Sequence, residues 1–146
     1  MAVDGKVYVA AGVMIALDPT ERSAEPKVLW KEPTVQRGAA SALAAAGKLY
    51  AINRGGVLLC ASLEDGEVLS RTRLTGSFWS TPALAGQRLF ACSYEGSVQV
   101  VELSADGREA KVAATVELGE PVQSSPAIAH GALFDRSDKH LFRLGK

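Results

Sequence analysis

One phrase recurs along this chain, and it limits what the chain can fold into. Ser124-Ser125-Pro126-Ala127-Ile128-Ala129-His130-Gly131-Ala132-Leu133-Phe134 is matched by Ser80-Thr81-Pro82-Ala83-Leu84-Ala85-Gly86-Gln87-Arg88-Leu89-Phe90. A third copy runs from Ala40 to Tyr50, and a truncated fourth ends at Tyr8. The closing aromatics Tyr8, Tyr50, Phe90 and Phe134 return every 40–44 residues. Repeats of roughly 40–45 residues built from short strands have the length of propeller blades, each a four-stranded antiparallel sheet.

The turn chemistry agrees with that period. In the second copy, strands are predicted over residues 41–45, 47–53, 57–62 and 67–72. They are joined at Ala46-Gly47, Arg54-Gly55-Gly56 and Asp65-Gly66. Such Gly-containing joints supply the positive φ that tight hairpins require. Residues 39–46 are Ala-rich and locally favour helix. They align with copies carrying Pro82 or Pro126, which a helix interior does not tolerate, so the expectation is strand. The same prolines suit an innermost strand whose free edge faces the axis.

The strand count predicted from the two ends is three, four, four and three. The chain enters at a second strand over residues 3–10, followed by 13–17 and 28–31, and it leaves after a third strand over 139–144. The expected fold is all-β, a single propeller segment of about three and a half blades with boundaries near residues 1–32, 33–73, 74–117 and 118–146. So short an arc calls either for further blades in a longer polypeptide or for another copy or chain that completes a ring.

Lys and Arg number 16, as do Asp and Glu, and neither sign forms a long run. That balance argues against a nucleic-acid groove, which needs clustered basic residues. No apolar run reaches the roughly 20 residues of a membrane span, and Asp4 interrupts the place where a signal peptide would be apolar. Cys60 and Cys92 lie in different repeats, which leaves two readings open, free buried thiols or a disulfide.

Several segments resemble the pyrroloquinoline-quinone-like β-propeller repeats, a superfamily that includes quinoprotein alcohol dehydrogenases and the propeller lipoprotein of bacterial outer-membrane protein assembly. They are the Ser-Ser-Pro phrase, Leu63-Glu64-Asp65-Gly66-Glu67-Val68-Leu69, and Leu17-Asp18-Pro19-Thr20 followed by Val28-Leu29-Trp30. The last is similar to the family's tryptophan-docking pattern. Ser70 and Ala113-Ala114 depart from it in the next two copies, and residues 18–27 lack the usual Thr-Gly turn. The closing residues 139–146 resemble the carboxyl end of cofactor-free members. The resemblance implies a periplasmic or otherwise extracytoplasmic location. For enzymatic members it implies the quinone and Ca²⁺, held beneath vicinal cysteines and on Glu, Asn and Asp oxygens. This chain has no adjacent cysteines and a single Asn, Asn53. The expectation is therefore a noncatalytic module without cofactor or metal, the alternative being a piece of a quinoprotein oxidoreductase.

His130 and His140 fall in or beside turns, with no Ser or Cys nucleophile in a recognisable elbow. The face built from loops between second and third strands, and between successive blades, is where a propeller presents its partners. Arg37, Arg54, Phe78, Trp79, Tyr94, Gln123 and Arg136 are the candidate ligand- or protein-binding residues on it. Phe78-Trp79 is the most prominent, because exposed aromatics anchor interfaces. The alternative for Trp79 is packing between blades, and for Arg54, Arg136 and Glu95 plain exposed turn charges.

Overall fold

The computed structural model describes residues 1–10, 12–20, 25–35 and 40–145. Among them there is no helix, and none therefore that is long and apolar enough to cross a membrane. The first sheet holds Ala2–Val3 (β1), Lys6–Ala10 (β2), Met14–Asp18 (β3) and Lys27–Glu32 (β4). The second holds Leu43–Ala45 (β5), Lys48–Ile52 (β6), Val57–Ser62 (β7) and Val68–Arg73 (β8). The third is built from Ala83–Ala85 (β9), Arg88–Cys92 (β10), Ser97–Leu103 (β11) and Ala110–Glu117 (β12). Ala127–Ala129 (β13), Ala132–Arg136 (β14) and Leu141–Leu144 (β15) complete the fourth. Every sheet is an antiparallel meander in chain order, a partial and open propeller.

Two details differ from the sequence expectation. The first blade has its own inner strand, since β1 pairs with β2 through the Asp4-Gly5 turn, giving four strands rather than three. Mutual bonds between the main chains of Met1 and Tyr8 extend that ladder. The inner strands also begin later than predicted. Pro82 and Pro126 stand one residue ahead of β9 and β13, so their missing N–H groups fall outside the ladder. Residues 43–45 of the Ala-rich segment form a strand, as the repeat required.

The hairpins between first and second strands explain one histidine. Asp4 and Gly5, Ala46 and Gly47, and His130 and Gly131 all have positive φ at both central positions, the signature of the type I′ turn. His130 is thus a turn residue. A bulge recurs as regularly: Leu29, Leu69 and Ala113 are each an extra residue of the outer strand, opposite the same point of the third strand.

Alternation along each strand puts one row of side chains toward the next blade. Tyr8, Ala16 and Trp30 form that row in the first sheet, and Tyr50, Cys60 and Ser70 in the second. Trp30 docks on the second blade, where its indole N–H donates to the Leu63 carbonyl at 3.1 Å beside Gly66. Lacking a tryptophan, the next joint sets Lys48 and Cys60 against Gly107, and the Thr72 hydroxyl donates to the Ala110 carbonyl at 2.8 Å.

The core is accordingly divided among the joints. Tyr8, Met14, Ala16, Leu49 and Leu59 are buried between the first two blades. Tyr50, Ile52, Leu74, Phe78, Leu89 and Val101 are buried between the second and third. The third joint buries much less, chiefly Cys92, Val98 and Leu133.

Candidate functional site

The loops between second and third strands are capped from within. The Asn53 side-chain carbonyl accepts from the amides of Gly55 and Val57 at 2.9 and 3.0 Å. The Ser137 hydroxyl accepts from Lys139 and His140 at 3.1 and 2.9 Å. Such side-chain caps fix short polar turns. The connections between blades are then tied to these loops. The amides of Leu74 and Leu118 donate to the carbonyls of Gly56 and Gly96, both at 2.8 Å, and Val122 donates to Tyr94 at 3.0 Å.

The connections into the third and fourth blades each drive one apolar side chain into the joint and turn the next outward. Phe78 and Val122 are buried, whereas Trp79 and Gln123 are exposed. The expectation of an exposed anchor at Phe78 is corrected here: it packs in the core with Tyr50 and Ile52. Neighbouring residues of an extended segment point to opposite sides, so only one of the two aromatics can be presented. Trp79 is 60% exposed, and its ring centroid lies 6.2 Å from that of Tyr94 in a tilted pair.

Beyond Tyr94 the surface opens into a cavity of about 420 Å³ at the third joint, lined by Tyr94, Glu120, Gln123, Arg136, Asp138 and Lys139 among others. Three candidates from the sequence, Tyr94, Gln123 and Arg136, therefore meet in one place, with Trp79 beside them. Arg54 is exposed on the corresponding loop of the preceding blade and does not line this cavity. Arg37 lies outside the described residues.

The floor beneath the cavity is polar and tightly bonded. The Ser124 hydroxyl donates to the Asp135 carboxylate at 2.6 Å, and the Arg136 amide donates to the same carboxylate oxygen at 2.8 Å. Asp135 is buried where the two preceding blades carry Ala51 and Ala91, and its second oxygen has no hydrogen-bond partner among the described residues. Burial, and then this carboxylate, push the nearby Cys92 thiol far above its usual range. Burial also raises the Cys60 thiol. Both cysteines are free and buried, which resolves the alternative left open by the sequence. An acid at a position where the two preceding copies carry alanine is the one signal that the sequence offered for Asp135, and the sequence expectation did not use it.

Two carboxylates on this face hold structure. Glu95 accepts from the Ser77 amide at 2.9 Å, which lowers its pKa. Glu120 meets the His140 ring nitrogen Nδ1 at 2.6 Å, and that contact lowers its pKa in turn. His140 thus ties the last blade to the connection before it, a role its place beside a turn did not reveal.

Ca²⁺ requires six to eight convergent oxygens. Among the described residues no group of three or more His, Cys, Asp or Glu side chains is placed to hold a metal ion. Cys60 and Cys92 stand in different sheets.

Sheets docked side by side through repeated turns, with a loop face built at their joints, define a propeller of the quinoprotein-like repeat class. The family model described as outer membrane protein assembly factor BamB matches residues 10–139, and the chain belongs to that family. Among solved structures, BamB from Moraxella catarrhalis is similar over 90% of this chain and 43% of that one, with a TM-score of 0.68 at 15% identity. A europium-containing methanol dehydrogenase is similar over 75% of this chain and 23% of its own, with a TM-score of 0.58 at 16% identity. The computationally designed Ika8 protein is similar over 100% of this chain and 44% of its own, with a TM-score of 0.73 at 10% identity. These likenesses concern the fold, and this chain spans less than half the length of each of those structures. No curated protein matches.

Proposed function

We propose that this chain is a noncatalytic propeller module that binds a protein partner on its loop face, at the third joint, in an extracytoplasmic compartment. The observation that carries the reading is the exposed Trp79–Tyr94 pair beside a cavity that also gathers Gln123 and Arg136. Exposed aromatics with an adjacent arginine are the side chains that dominate binding energy at interfaces. The family's description as an assembly factor supports a protein partner and a compartment outside the cytoplasm. On this reading no cofactor takes part, and the remaining blades of a ring come from a longer polypeptide, another chain or a second copy.

Panning a displayed random-peptide library against the chain tests the reading. Enriched peptides are expected to lose at least tenfold in affinity toward Trp79→Ala and to keep it toward Arg88→Ala, an exposed residue at the end of β10 away from the Tyr94 loop. Peptides indifferent to Trp79, or no enrichment at all, would overturn the assignment of this face. Titration with pyrroloquinoline quinone and Ca²⁺ addresses the enzymatic alternative, since a stoichiometric bound-cofactor absorbance band would contradict a cofactor-free module.

A further inference from the structure

Repeat equivalence can be fixed residue by residue at the second and third joints. The Ser80 hydroxyl donates to the carbonyl of Cys92 at 2.9 Å, and the Ser124 hydroxyl lies 2.9 Å from the carbonyl of Arg136. Ser80 therefore corresponds to Ser124 and Cys92 to Arg136. It follows that Trp79 corresponds to Gln123, and Tyr94 to Asp138. At the second joint the chain lays its own indole against Tyr94. At the third joint both rings are missing, and a cavity of about 420 Å³ stands there, lined by Gln123 and Asp138. That volume falls within the roughly 300–1,000 Å³ of small-ligand sites.

Tyr94 serves both joints. It carries Trp79, and it also lines the cavity while remaining 38% exposed. A ring entering the cavity would extend the aromatic pair in the tilted or offset geometry that aromatic groups favour. The charges on the lining are also sorted. Glu120 is engaged by His140, and Lys139 is within electrostatic reach of Glu120. The Arg136 guanidinium is exposed and has no partner among the described residues. Asp138 also lines the cavity and limits the negative charge it accepts. A guanidinium offers a carboxylate two parallel donors.

We propose that this cavity receives an aromatic side chain of the partner, with a carboxylate next to it held by Arg136, in the place that Trp79 occupies one joint earlier. The inference rests on the binding-face reading above and names what that face selects.

Ligand-observed NMR with N-acetyl-tryptophan, its neutral amide and N-acetyl-leucine tests ring and charge separately. N-acetyl-tryptophan is expected to bind at least fivefold more tightly than the amide, with the leucine derivative far weaker. Gln123→Trp, which rebuilds the earlier joint, should weaken N-acetyl-tryptophan at least tenfold. Arg136→Ala should erase the preference for the acid over the amide. Should Gln123→Trp fail to fold by circular dichroism, Gln123→Phe makes the same test with a smaller ring. Undiminished binding by the filled variant, or equal binding of the leucine derivative, would overturn the proposal. Library peptides that depend on Trp79 but ignore Gln123→Trp would sink this inference alone and leave the binding face standing.

Discussion

Gln99 closes a two-way clamp on Thr75: its side-chain N–H donates to the Thr75 carbonyl at 2.7 Å, and its side-chain oxygen accepts from the Thr75 amide at 2.9 Å. Gln99 is 2% exposed on β11, so this pair fixes the connection that goes on to present Trp79. Gln99→Leu removes both bonds and leaves the Thr75 groups to compete for water. A loss of about 1–3 kcal/mol is expected in urea unfolding, with faster hydrogen exchange at Thr75. Unchanged exchange there would show that the clamp does not hold the connection.

Trp30 makes a different joint sensitive to a single methyl group. A Cβ at Gly66, where φ is +80°, would meet Trp30 ring atoms at 2.7 Å, whereas at Gly12, with φ +83°, it would meet nothing within 4 Å. Gly12→Ala therefore reports the backbone cost alone, of order 1–3 kcal/mol. Gly66→Ala should cost about 1–3 kcal/mol more, through overpacking against the docked indole. Equal destabilisation of the two variants would mean that Trp30 yields freely.

Acid should weaken the loop face in a predictable direction. The Ser77 amide holds the Glu95 pKa below its ordinary value. A carboxylate depressed in the folded state adds stability above its unfolded pKa, near 4.3, and loses it as pH falls through the lower folded value. The unfolding midpoint should therefore be flat above about pH 5 and fall below about pH 4. Glu95→Gln should flatten part of that fall. A variant with the same acid profile as the parent would remove Glu95 from the account.

Cys60 and Cys92 are each 2% exposed and both thiols are raised, first of all by burial. Since the thiolate is the reactive form, an aromatic disulfide reagent should leave the native protein unlabelled. In denaturant it should label both cysteines, at a rate set by unfolding. Rapid labelling of either thiol under native conditions would contradict its placement in a blade joint.

The amino-acid sequence by itself determined the repeat, the all-β fold and most strand positions. These depend on alternation and on turns such as Ala46-Gly47 and Asp65-Gly66, whose geometry is settled within a few residues. It even outweighed the helical composition around Ala44, because Pro82 and Pro126 mark the same place in other copies. Only the tertiary structure decided which of two adjacent aromatics, Phe78 or Trp79, faces solvent, and that Tyr94, Gln123 and Arg136 share one cavity. That cavity lies where two sheets meet, with Gln123 at the repeat position of Trp79, and packing between sheets joins residues that no local pattern connects. The partners of the buried Asp135 and the contact between His140 and Glu120 were decided there for the same reason: each takes its role from a neighbour on another blade or connection.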